Sequence, residues 1–242
     1  MNLPNAITAA RIAVAPVIAW LIVLPSWPIR VAAWVLYIAA AVTDYYDGHL
    51  ARSRNLVTDL GRLLDPLADK MLLVCTLGPM WWLTRGLPLV SALPGSDDWA
   101  VPGTVGPVIS GAHEAWPLVT PFGLVAFPLW VVLIVLGREA LMTVFRQYAA
   151  RRGLIISAIG PAKWKTGFQS VWAGAAFFWF FAAAAAAQMR WTSAAWRYFA
   201  MFNGIVGTVT MIGAVALTLY SLALYGRRYG YILTSSAREA GR

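Results

Sequence analysis

Four aspartates carry the most chemistry that this sequence offers. Asp44 and Asp47 are three residues apart, and Asp65 and Asp69 are four apart. On helices each pair shares a face, one turn apart. Only residues 53–60 separate Arg52 from Gly61, a connection short enough to make the two helices antiparallel neighbours with their acidic ends level. Four converging carboxylates repel strongly in a low dielectric, so they call for divalent cations. With oxygen ligands alone, and one cysteine and two histidines in the whole chain, the ions favoured are hard ones, Mg²⁺ or Mn²⁺. Two such ions about 3.5–4 Å apart clamp the attacking and leaving oxygens of a phosphoryl displacement. Gly48, Ala51 and Gly61 fit the same chemistry, because without bulk they let a nucleotide or diphosphate approach the helix backbone. Arg52 lies on the face of Asp44 and Gly48 and can neutralise phosphate charge.

The elements that position these residues belong to an unusually apolar chain. Of 242 residues, 60% are hydrophobic and 12% charged, against roughly 45–50% and about 25% in soluble domains. Such a composition cannot be buried in water without large apolar patches, which leaves a polytopic membrane protein. The single cysteine, Cys75, excludes an internal disulfide and a cysteine-built metal site. Six apolar runs are long enough to span a bilayer: 7–24, 31–50, 61–83, 118–149, 166–187 and 194–225. The expected fold is an all-α integral membrane bundle of six transmembrane helices, one domain over 1–242, with an outer-face loop at about 86–117. Pro25 and Pro28 punctuate the first turn, and Pro94, Pro102, Pro107 and Pro117 the long loop. The N-terminus lacks a basic leader and a small-residue cleavage site, so the first helix is read as retained.

Orientation follows from the cations. Alternating spans put fifteen Lys and Arg on the side of the two termini and four, Arg30, Arg85, Arg190 and Arg197, on the other. That bias makes the termini of this multi-pass membrane protein cytoplasmic. The net charge of +9 is therefore a matter of topology and anionic headgroups, and nucleic acid is not an expected partner. The same side collects the acids. The second run turns polar at Asp44, the third begins with Asp65, Asp69 and Lys70, the fourth ends in Arg138 and Glu139, and the fifth opens after Lys163 and Lys165. Ionisable groups at such depth must line a shared polar cavity or pair with one another.

The pattern D-x2-D-G-x2-A-R-x8-G-x3-D-x3-D over residues 44–69 resembles, without a mismatch, that of the CDP-alcohol phosphotransferase family. Asn5, Thr8-x-x-Arg11, Thr58-x-x-Gly61, Arg138-Glu139 and Lys163-x-Lys165-Thr166 are similar to the bacterial phosphatidylglycerophosphate synthase branch. The resemblance covers most of the chain outside the 86–116 loop, to which no function is assigned. It implies a dimeric six-helix membrane enzyme with a cytoplasmic active site. The enzyme would transfer a phosphatidyl group from CDP-diacylglycerol to glycerol 3-phosphate and release CMP. On that resemblance Asp44, Asp47, Asp65 and Asp69 bind two metals, Asp69 is the base, and Gly48, Ala51, Arg52 and Gly61 contact the CDP moiety. Glycerol 3-phosphate carries close to two negative charges, and Arg138, Arg146, Lys163 and Lys165 are the cations available to meet it.

Other readings stay open at this point. The acceptor could be serine, inositol phosphate or phosphatidylglycerol. A cation or proton transporter could use the same acids, but transport sites sit at the midplane, often within inverted repeats, whereas these acids lie toward one face and have no second copy. The cations at the fourth and fifth helix ends could be topological determinants alone. His49 and His113 are read as outside the chemistry, and most of the tryptophans as interface anchors.

Overall fold

In the first helix, Asn5, Thr8, Arg11, Ala15, Ile18 and Ile22 recur every three or four residues. All six are buried, polar at one end and apolar for the rest. This is helix α1 (Leu3–Val23), and it packs on α2 (Trp27–Ser53) and α3 (Asp59–Thr84). Three further helices follow, α4 (Leu129–Arg151), α5 (Pro161–Met189) and α6 (Ala194–Tyr229). The computed structural model describes residues 3–53, 58–91, 108–110, 113–152 and 161–229.

Helix α5 runs through the middle, against α2, α3 and α6. Trp172, Phe177 and Phe180 form an aromatic layer with Phe127, and the alanines Ala182–Ala186 are all buried. Small side chains let neighbouring backbones close around that end of the helix. Arg30 is buried rather than facing solvent. Its Nε donates to the carbonyls of Ile22 (3.1 Å) and Leu24 (2.9 Å), its Nη1 to that of Phe180 (3.1 Å), and the guanidinium lies 5.1 Å from the Trp116 ring. Trp116 N–H donates to the Leu83 carbonyl at 2.7 Å. These contacts make one rim from the ends of α1, α2 and α3 and the side of α5. Cations do more there than set topology, because Arg30 satisfies the orphan carbonyls of α1.

The connection between α3 and α4 departs from the sequence reading. The chain is mostly helical but not all-α, with five short strands among the described residues of this stretch: β1 (Val90–Ser91), β2 (Val108–Ser110), β3 (His113–Ala115), β4 (Leu118–Thr120) and β5 (Gly123–Val125). One antiparallel sheet has the order β1-β5-β4, with Leu118 opposite Val125 and Val90 opposite Val125 on the other edge; β2 and β3 pair separately. The expected helix over 118–149 therefore begins only at Leu129. Pro117, Pro121 and Pro128 remove the donors and φ freedom that a continuous helix needs. Gly123, at φ 133°, closes the turn in a region that glycine adopts without strain.

The β4–β5 hairpin is buried along both strands. It lies so close on α6 that a Cβ at Gly204 would stand 1.9 Å from the Val119 carbonyl oxygen. Among the described residues, hydrophobic length and composition alone qualify three helices to cross a membrane, within Asn5–Val23, Trp164–Met189 and Ala194–Tyr229. In α2, α3 and α4 the acids and Arg138 lower the apolarity of the same lengths.

Candidate active site

Helix α3 starts at its N-cap, Thr58, whose Oγ1 accepts from Gly61 N–H at 3.0 Å. Such a cap satisfies one of the four orphan donors of a helix start. Asn5 of α1 closes the cap from outside, its Nδ2 donating to Thr58 Oγ1 at 2.8 Å and its Oδ1 accepting from Thr58 Oγ1 at 3.1 Å. Gly61 is buried beneath it, and a Cβ there would meet Asn5 Oδ1 at 2.8 Å. A side chain at 61 would thus push on the Asn5–Thr58 cap that joins α1 to α3. Pro66 lies inside α3, between Asp65 and Asp69.

From this junction the α1 stripe reaches the acids. Thr8 Oγ1 donates to Asp65 Oδ1 at 3.0 Å. Arg11 Nη1 pairs with Asp44 Oδ1 and, at 3.3 Å, with Asp69 Oδ1. The Arg11 side chain is 2% exposed, whereas those of Asp44 and Asp69 are 45% and 61% exposed. The guanidinium therefore holds the carboxylates from the protein side and leaves their outer edges exposed. Asp47, Gly48, Ala51 and Arg52 occupy the last turns of α2, and their side chains lie outside the described residues. Among the described residues no three Asp, Glu, His or Cys side chains form a cage for an ion. The donor chemistry, carboxylate oxygen alone, suits Mg²⁺ or Mn²⁺.

A second polar cluster joins α4, α5 and α6. Glu139 Oε1 accepts from Arg138 Nη1 at 2.9 Å and from Lys165 Nζ. Arg138 Nη2 donates to Ser221 Oγ at 3.1 Å, and Arg146 Nη2 to the Tyr225 hydroxyl at 3.1 Å. Both guanidinium groups lie within 6 Å of the Tyr225 ring centroid, at 5.9 and 5.7 Å. Arg138 and Lys165 are buried and Arg146 is exposed. Lys163 is in the first turn of α5 with its side chain outside the described residues. Sequence reasoning did not single out Ser221 and Tyr225. The signal was available, since Thr218, Ser221 and Tyr225 are three and four residues apart in an otherwise apolar helix.

Both clusters lie at one level. Asp69 precedes Leu83 by fourteen residues, Asp44 follows Arg30 by fourteen, and Lys165 precedes Phe180 by fifteen. At about 1.5 Å per residue each is about 21–22 Å from the Arg30 rim.

A mostly helical bundle with carboxylates and cations gathered toward one end of apolar helices is the architecture of a membrane-associated protein with a polar centre. Comparison with known families gives this class its name. The model for CDP-alcohol phosphatidyltransferase matches residues 1–220, and the chain belongs to that family. It is 46% identical over 76 residues to a Rickettsia bellii protein named CDP-diacylglycerol–glycerol-3-phosphate 3-phosphatidyltransferase, covering 31% of this chain and 42% of that one. A Bacillus subtilis protein of the same name is 31% identical over 182 residues, 70% of this chain and 73% of the relative. A Streptomyces coelicolor protein named cardiolipin synthase (CMP-forming) is 29% identical over 157 residues, 63% of this chain and 54% of the relative. The match spans about two-fifths of the length of the rickettsial relatives.

Proposed function

We propose that this protein transfers the phosphatidyl group of CDP-diacylglycerol to glycerol 3-phosphate, giving phosphatidylglycerol phosphate and CMP. The observation that carries this reading is the pairing of two clusters at one depth. Carboxylates of α2 and α3 suit a metal-bound diphosphate, and the Arg138, Arg146 and Lys165 cluster suits an acceptor that brings its own phosphate. Serine would not need those cations.

Asp44, Asp47, Asp65 and Asp69 would hold two divalent cations, which supply charge neutralisation for the diphosphate and the departing CMP. Gly48, Ala51, Gly61 and Arg52 would border the CDP moiety. Arg138, Arg146, Lys163 and Lys165 would hold the acceptor phosphate. Asp69 takes the proton of the acceptor hydroxyl on a carboxylate oxygen. The hydroxyl oxygen then bonds to the phosphorus that carries diacylglycerol, and the bond from that phosphorus to the CMP oxygen breaks. In this reading all six helices cross a bacterial inner membrane, the site and both termini face the cytoplasm, and the chain works as a homodimer.

The test is CMP release from CDP-diacylglycerol by purified enzyme with acceptors offered singly. Glycerol 3-phosphate is expected to sustain release, while serine, inositol phosphate and phosphatidylglycerol are not. The Streptomyces relative makes phosphatidylglycerol the informative competitor, and release with it alone would replace the proposed acceptor.

A further inference from the structure

Resemblance singles out Thr8 and Arg11, yet the reaction as written gives them no task. Their contacts do. We propose that Arg11 is a built-in counter-cation of the carboxylate centre, holding Asp44 and Asp69 together from behind so that the centre keeps its shape when divalent ions leave. Thr8 orients Asp65 in the same way from one turn earlier. Both act through the acids and are positioning residues. The inference rests on the reading of those acids as metal ligands.

Three observations support it. Arg11 Nη1 reaches Asp44 Oδ1 on α2 and Asp69 Oδ1 on α3, so one cation ties two helices. Its side chain is buried while both acids stay open on their other edges, so an ion can arrive without evicting it. The stripe that carries it continues through Ala15, Ile18 and Ile22 into the core, so the guanidinium rests on packed helix rather than on a loop. Without this charge, the carboxylates on adjacent helices repel one another. A point charge such as lysine would reach them less well than a planar fork.

The experiment is thermal unfolding of the full chain in detergent, in EDTA and in Mg²⁺. Ions that bind the folded state alone raise its midpoint. Arg11→Met is expected to lower the midpoint in EDTA far more than in Mg²⁺, so that its Mg²⁺-induced rise exceeds the wild-type rise by about 4 °C or more. Arg11→Lys should show the same difference on a smaller scale, and it carries the comparison if the Met variant does not accumulate. Adding Asp44→Asn to Arg11→Met should restore the midpoint in EDTA and shrink the Mg²⁺ response, because one of the repelling charges is gone. Equal losses in both buffers would make Arg11 a packing residue and overturn the proposal while leaving the metal site intact. No Mg²⁺ response in the wild type would remove the metal reading, and the counter-cation role with it.

Discussion

At the scale of residues, the proposed acceptor cluster separates contacts by what they cost when cut. Arg138 is buried, shares Glu139 with Lys165 and donates to Ser221, so Arg138→Ala keeps the Glu139–Lys165 pair but loses charge-assisted hydrogen bonds that cost about 1.5–3 kcal/mol each in the fold itself. Arg146 is exposed and bonded to Tyr225 alone among the pairs described here, which makes it the cleaner probe. Arg146→Ala is expected to raise the KM for glycerol 3-phosphate roughly tenfold to hundredfold, the equivalent of losing a charge-assisted phosphate contact of about 1.5–3 kcal/mol. The KM for CDP-diacylglycerol should hardly move. Tyr225→Phe keeps the ring and loses one neutral hydrogen bond to the guanidinium, so its effect should be severalfold at most. Steady-state kinetics with each substrate varied in turn measures both. An unchanged KM for glycerol 3-phosphate in Arg146→Ala would reduce this arginine to a topological charge. Spacing alone marked the faces of 44, 47, 65 and 69, and the α1 stripe meets Asp44, Asp65 and Asp69 among them. Thr8, Arg11, Ser221 and Tyr225 were not assigned, because their partners are 57, 33, 83 and 79 residues away and local periodicity says nothing of which distant helix a face meets.

Elements tell the same story with a sharper failure. The helices carrying the acids follow from apolar length, caps and the short 53–60 connection, and they end within a few residues of the expected bounds. The fourth does not. Hydropathy over 118–128 is that of a spanning helix, yet Pro121 and Gly123 turn it into a hairpin that fills the place beside α6. Hydropathy reports burial, and both structures bury these residues; only the prolines distinguish them. The glycines of α6 record the substitution. At Gly204 a Cβ would stand 1.9 Å from the Val119 carbonyl oxygen, which is backbone and cannot rotate away. At Gly207 it would meet Leu118 Cδ1 at 2.5 Å, the far end of a flexible side chain, and at Gly226 nothing lies within 4 Å. Gly204→Ala is therefore expected to lose about 1–3 kcal/mol or more to overpacking. Gly207→Ala should lose less, and Gly226→Ala should be neutral or slightly stabilising through helix propensity. Thermal midpoints of the three variants in one detergent rank them. A Gly204→Ala protein as stable as Gly226→Ala would mean that the hairpin does not dock where the strands place it.

For the whole molecule, depth and orientation decide whether the chemistry can be supplied. Both clusters lie about 21–22 Å from the Arg30 rim by helical rise, against a hydrocarbon core about 30 Å thick. With that rim at the outer boundary, the carboxylates fall short of the inner surface by roughly 8–9 Å, within reach of a lipid headgroup and of a soluble acceptor entering from below. The proposed orientation rests on fifteen cations against four, and the chain offers a simple way to check it, because Cys75 is its single cysteine. In a Cys75→Ser background, Trp191→Cys lies at an exposed position between α5 and α6, and Arg228→Cys at an exposed position at the opposite end of α6. A membrane-impermeant maleimide applied to intact cells is expected to label the first and spare the second, and inverted vesicles should reverse the pattern. Labelling of Arg228→Cys in intact cells would turn the bundle over. The Asp and Arg clusters would then face away from the compartment in which a charged, phosphate-bearing acceptor is available, and the proposed transfer would have no supply on its own side of the membrane.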